Sequence, residues 1–426
     1  MKTKMKSPRT LAVLFALAAA GAAVQLAAKP FVVHEWGTFT SVSGSDGKLL
    51  PGLEVEESAL PPFVHSHAGF FPANKGWNRP VADVTIKMET PVLYFYSDAP
   101  RTVNVDVKFN GGSISQWYPE RLGGEALPQA DENKLAAMLE QEKRKDSTIS
   151  FEKLVAKVVP PVKFSPSYAG AASWSVEVLA PGAPDRIWSQ QPWDTPEFEK
   201  AQPAFEHWAR ARVAGANKVR GPGRFREVEG FIFYRGIGNF GLPLRVASSG
   251  GSLQLDNAGA DSIPFLFVYE KRAAFPQGVV WWSGSLAGGG RKSVPLLKSS
   301  GDIAAEPVLR ETFPRALERA GLTAEEARAL VATWKENYFD RDGVRVFWIV
   351  PRAFTDSVLP ISIAPKPDRL ERVLVGRSEV LTPQFETELK NDFAADRGKR
   401  WMADRYYRAY LARVQQLGVV LADARP

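Results

Sequence analysis

Three of the chain's four histidines fall between positions 34 and 67, and they are the residues whose spacing most resembles metal chemistry. His65 and His67 form an H-x-H pair, and in an extended segment residues two apart point the same way, so both imidazoles can address one ion. His34, on a strand upstream, would be the third ligand, with water or one of Glu54, Glu56 and Glu57 completing the shell. Three imidazoles with an open position suit zinc or copper, and zinc so held acidifies its bound water. The plainer reading is that these are polar loop histidines beside Pro61, Pro62 and Pro72, because most histidines bind no metal.

Glu35 is the second candidate. If residues 31–39 form a strand, Phe31, Val33, Glu35, Gly37 and Phe39 share one face, while Val32, His34, Trp36 and Thr38 share the other. A carboxylate among apolar side chains is costly unless paired, and burial raises its pKa. With Glu89 as a second carboxylate, Glu35 would suit general acid and base work, including glycoside cleavage. The competing reading pairs Glu35 with a buried arginine, Arg235 or Arg352, each at the end of an aromatic-rich strand. Trp36 and the other tryptophans offer stacking surfaces to a sugar, yet aromatics at alternating strand positions are usually core.

His207, Arg210, Arg212, Lys218, Arg220, Arg224 and Arg226 follow one another with no acid between them. Such a run would take an anionic polymer, although Gly221-Pro222-Gly223 also marks it as a solvated loop. No G-x-S-x-G elbow, phosphate loop or H-E-x-x-H is present, and Asp340-Arg341-Asp342-Gly343 lacks the spacing of a calcium loop.

The elements that must position these residues are mostly strands. Residues 31–40, 81–96 and 102–109, and then 230–235, 242–247, 252–255, 263–270 and 279–286, are short runs rich in Val, Thr and aromatics, bounded by Gly, Ser and Asn. Residues 131–147 break the pattern as an exposed helical insertion, and a second helix is expected over 195–213, with Thr195 as cap and Pro196 at its first position. The strongest helix signal is 322–338, where Thr323 and Glu326 form a capping box ahead of Ala327, Leu330, Val331, Trp334 and Tyr338. A strand at 344–350 and a proline-punctuated stretch lead to two C-terminal helices. The pattern implies an α+β fold, with an antiparallel, sandwich-like β-rich body over 29–300 and a helical and mixed region over 301–426 packed on it.

Composition frames the function. Lys2, Lys4, Lys6 and Arg9, then an apolar run from Leu11 to Val24 and small residues up to Ala28, are the three parts of a secretory signal, expected to be removed. The run is too short to span a bilayer. With no cysteine the chain offers neither a disulfide nor a lipidation point, so the expectation is an exported protein that is not a lipoprotein. Four positive charges of the formal +7 lie in the leader, which weakens nucleic acid as a partner.

The strings HEWGTFTS (34–41), KMETPVLYFYSD (87–98), YRGIGNF (234–240), VPRAFTD (350–356) and VGRSEVLTPQFE (375–386) resemble those of a set of exported proteins from environmental bacterial genomes. The resemblance spans most of the mature chain, implies a bacterial exported protein, and assigns no residue a role. The leading expectation is therefore an exported binding protein with a histidine-based metal site. The alternatives are a metal- or carboxylate-dependent hydrolase of envelope or extracellular polymers, and an envelope scaffold without a small-molecule site.

Overall fold

The computed structural model describes residues 30–55, 60–61, 63–67, 80–125, 131–183, 206–222, 227–297, 304–395 and 397–420. The leader, Glu56 and Glu57, the start of the 195–213 helix, and Arg224 and Arg226 lie outside them.

A nine-stranded sheet organises the chain. We label its strands β1 (Val32–Ser43), β2 (His65–Ser66), β3 (Ile86–Tyr96), β4 (Gly112–Tyr118), β5 (Ile232–Gly238), β6 (Ile263–Arg272), β7 (Phe275–Leu286), β8 (Gly343–Ile349) and β9 (Arg369–Val380). Their spatial order is β7-β6-β8-β9-β1-β3-β5-β4-β2. The β1–β9 pair is parallel and the other pairs of the sheet are antiparallel. β1 is buried at every position because layers cover both faces of the sheet.

On one face, Val33, Phe39, Leu93 and Trp348 meet Val105, Phe109 and Trp174 of a six-stranded sheet, and Leu253 and Val294 of a three-stranded one. On the other face lie helices. α3 (Phe313–Arg319) and α4 (Ala324–Trp334) cover Trp36, Val92, Phe267 and Phe347, and α6 (Pro383–Ala394) and α7 (Tyr407–Gln416) cover Val42 and Ile237. The architecture is α+β, as the pattern implied. Residues 131–147 hold the exposed helix α1 (Glu132–Lys143), joined by α2 (Phe151–Val158) through Leu135 and Val155.

The capping box forms as its residues dictate: the Thr323 hydroxyl accepts from the Glu326 amide, and the Glu326 carboxylate accepts from the Thr323 amide. The proline-punctuated stretch holds more than loop. It contains α5 (Arg352–Val358) and the twelve residues of β9, a strand at the centre of the sheet. Of its five charged residues, Arg372, Arg377 and Glu379 are buried against partners, while Arg369 and Glu371 stay partly exposed. Gly376 sits opposite Trp348, whose indole occupies the space of a side chain, since a Cβ there would stand 2.0 Å from Trp348 Cε2.

Candidate functional site

The three N-terminal histidines do not meet. His34 lies on β1 and His65 on β2, four strand positions away, which at about 4.8 Å per step is roughly 19 Å. His34 is 1% exposed, and its Nδ1 stands 2.8 Å from Glu326 Oε2. Glu326 also accepts from the Tyr96 hydroxyl at 2.7 Å, so the capping box doubles as the anchor between β1 and α4. His65 Nε2 is 2.7 Å from Glu227 Oε1, and His67 Nε2 faces the Ile114 carbonyl at 3.1 Å and Glu125 at 3.6 Å. Each imidazole thus has its own acid or carbonyl, and among the described residues no group of three His, Asp or Glu is placed to hold a metal. The zinc or copper centre on His34, His65 and His67 is corrected by sheet order: sequence proximity does not bring strands together when three others are inserted between them.

Glu35 is paired, as the plainer reading held, but with neither Arg235 nor Arg352. Arg372, opposite it on β9, donates through Nε to Glu35 Oε2, and the Tyr234 hydroxyl donates to Oε1. Both members of the pair are closed to solvent, so no substrate reaches Glu35 in this structure, and its assignment as a catalytic acid is withdrawn. Arg235 instead donates to Gln116 on the adjacent strand at 2.5 Å. Arg352 begins α5, bonding Asp356 at 2.8 Å and the Leu370 carbonyl at 3.0 Å. Trp36 is fully buried between Tyr94 and Trp334, each 6.2 Å away, and offers no stacking face.

The described part of the basic run is engaged by the fold, in part by carboxylates and in part by backbone carbonyls. Arg212 forks onto Glu229 at 2.9 Å, Arg220 meets Glu177 at 2.8 Å, and Lys218 and Arg210 donate to the carbonyls of Ala183 and Ala332. These contacts remove the support for an anionic polymer at 207–226, since a charge already answered by the fold attracts a polyanion weakly.

The feature with room for chemistry lies elsewhere. Where β6 ends, β8 begins and β9 runs into α6, a cleft of about 880 Å³ opens. Leu296, Leu297, Phe385, Trp401, Tyr406 and Tyr410 supply its apolar wall. Its charges come mainly in pairs: Arg341–Asp404 at 2.8 Å, Arg272–Glu270 at 3.1 Å and Arg345–Glu379 at 2.9 Å. Arg345 also donates to the carbonyls of Tyr338, Arg341 and Asp342 at 2.7 to 2.8 Å, so it fastens the Asp340–Gly343 turn to the cleft floor. Gly343, with φ of 132°, makes room for it: a Cβ would come within 2.9 Å of Arg345 Nη2.

Behind this floor the network continues inward. Arg377 donates to Glu379 and stacks 4.1 Å above the Tyr338 ring. The Tyr338 hydroxyl donates to Glu89 at 2.8 Å, and Arg405 reaches the same carboxylate at 2.7 Å. Glu89, expected as a second catalytic carboxylate, is therefore a buried acceptor in the wall. The strand carries one extra residue at this point, with Trp36 opposite Val92 but Thr38 opposite Glu89. Thr90 takes a φ of 52° to complete the bulge.

Two cleft carboxylates are shifted in opposite directions. Burial pushes Glu379 upward, but Arg345 and Arg377 outweigh it and hold the carboxyl below its ordinary value. Burial holds Glu270 above that value, with the Trp281 indole and Arg272 opposing. Such a split is what an acid and base pair shows, but strand alternation separates these two. Glu270 is opposite Val344, and Glu379 is opposite Arg345, the next residue of β8, so the carboxylates leave opposite faces of the sheet. Sequence reasoning missed Arg345, Arg377 and Glu379. The signal available was their position in Val-rich, strand-capable segments, where a charge must find a partner.

No protein-family model matches the chain, and no curated protein matches it in sequence. Among solved structures, the chain is similar to the Fcho1 mu homology domain of Danio rerio with bound Eps15 peptide, at 8% identity and a TM-score of 0.25 over 82% of this chain and 96% of that one. It is also similar to the yeast delta-COP-I mu-homology domain, at 6% identity and a TM-score of 0.26 over 83% and 98%. Likenesses of this size carry no argument about the fold or the function.

Proposed function

We propose that this chain is an exported binding protein whose ligand seat is the cleft at the end of the central sheet. The cleft carries the reading: its volume falls in the range of pockets that bury small organic ligands, and it combines apolar walls with a few placed polar groups. A binding role is favoured over hydrolysis because the two carboxylates of unlike pKa point away from one another across the sheet. Export rests on the charged, apolar and small-residue order of positions 2–28 and on the resemblance to exported bacterial proteins. No helix among the described residues is long and apolar enough to cross a membrane.

The test begins with untagged protein recovered from its native compartment. Native mass spectrometry is expected to show an adduct that denaturation releases, and N-terminal sequencing to begin near Lys29. Trp401→Ala, with folding checked by circular dichroism, is expected to weaken rebinding of the released compound about tenfold or more, the loss typical of a buried aromatic contact. Equal binding by wild type and Trp401→Ala would remove the cleft as the seat, and a chain that retains Met1 would remove export.

A further inference from the structure

We infer that a monovalent anion sits just behind the floor of this cleft, held by Arg377 with the lining residue Tyr406. Arg377 is 0% exposed. One of its nitrogens, Nη2, reaches Glu379, but Nε and Nη1 have no hydrogen-bond partner among the described residues. Tyr406 is 3% exposed, and its hydroxyl is likewise without a partner among them. Buried donors are nearly always satisfied in native proteins, so a cluster of them is suited to hold an acceptor.

The chemistry of the orphan atoms selects that occupant. A guanidinium nitrogen only donates, and a phenol hydroxyl can turn to donate as well, so these groups call for an acceptor. The ring of Tyr338 satisfies the flat face of Arg377, at 4.1 Å, but leaves the in-plane N–H groups unanswered. Arg377 stands 5.7 Å from the centre of the Tyr406 ring and Arg405 stands 5.1 Å from it, so two guanidinium charges lie against this ring. That potential favours an anion over a neutral water. Glu379 and Glu89 already bring two negative charges to the network, so one further charge fits better than two.

Access is through the cleft, because Tyr406 forms part of its lining. The monoanion is thus either a free halide or the carboxylate of a larger cleft ligand. Thermal unfolding of the full chain would be followed at constant ionic strength in sodium isethionate, a bulky reference, and on exchange to chloride, bromide or benzoate. The expected result is a saturable rise of the midpoint in at least one of the three. A halide response assigns a free ion, and a response to benzoate alone assigns a ligand headgroup. Arg377→Met, which keeps the stem, is expected to abolish the rise, and Tyr406→Phe, which keeps the ring, to weaken the apparent affinity several-fold. Should Arg377→Met not fold, Tyr406→Phe and the anomalous signal of bromide-soaked crystals beside Arg377 decide. Identical midpoints in all four salts, or a response untouched in Tyr406→Phe, would overturn the inference while leaving the Trp401 test standing.

Discussion

Glu35 and Arg372 stand directly opposite one another on β1 and its parallel neighbour β9, both closed to solvent, with the Tyr234 hydroxyl on the free carboxylate oxygen and Asp356 on the second guanidinium nitrogen. The pair joins the two strands at the middle of the sheet. It also links them to α5, since Asp356 reaches Arg372 Nη1 at 2.7 Å from that helix. Burial works against the charge on Arg372, but Glu35 and Tyr234 hold its guanidinium more firmly protonated than usual.

Breaking such a pair from one side leaves a buried charge with no answer. Arg372→Met is expected to cost about 3–5 kcal/mol in urea unfolding, whereas adding Glu35→Leu to it should restore much of the loss, because neither charge then needs solvation. A double variant no more stable than Arg372→Met alone would show that Glu35 is supported by other groups.

Glu326 gathers three donors onto one helix terminus: the Thr323 amide and the Tyr96 hydroxyl, each at 2.7 Å, and His34 Nδ1 at 2.8 Å. Thr323→Ala removes only the cap and is expected to cost about 1 kcal/mol. Glu326→Ala removes the anchor of β1 as well and should cost about 3 kcal/mol, since it orphans buried polar groups on His34 and Tyr96. Chemical denaturation of the two variants side by side separates capping from anchoring: equal losses would mean that His34 adds nothing.

The cleft carboxylates predict opposite pH dependences. Glu379 is held below its ordinary 4.5, so its stabilising contribution is present above that value and is lost as pH falls through the lower folded pKa. Wild type should therefore exceed Glu379→Gln at neutral pH and lose that advantage in acid. Glu270 is raised from 4.5, so its contribution is full below that value and is lost as pH rises through the higher folded pKa. Glu270→Gln should then gain on wild type as pH rises. Urea midpoints measured from acid to neutral pH check both signs, and parallel curves for the three proteins would contradict the assignment.

How far the site was legible depended on the kind of signal. Alternation along residues 31–39 correctly placed Glu35 and Phe39 on one face and Trp36 on the other, because side-chain direction in a strand is a local property. The capping box was legible for the same reason. The partner of Glu35 was not: Arg372 lies 337 residues away, in a segment that the sequence marked only as proline-punctuated. β9 lies at the centre of the sheet with its charges answered by other elements: Arg372 by Glu35, Glu379 by Arg345, and Arg377 by the ring of Tyr338.

By itself, the order of residues determined the α+β class, the antiparallel strand-rich body, the exposed helix within 131–147 and the position of the Thr323 cap. These follow from periodicity, turn chemistry and capping, which act over a few neighbours. Only the tertiary structure decided which strands became adjacent, and with that it separated His34 from His65, buried Glu35 against Arg372 and opened a cleft at the ends of β6, β8 and β9. Strand order depends on contacts between distant segments, whose free energies are set by the packed whole, and no local spacing encodes them.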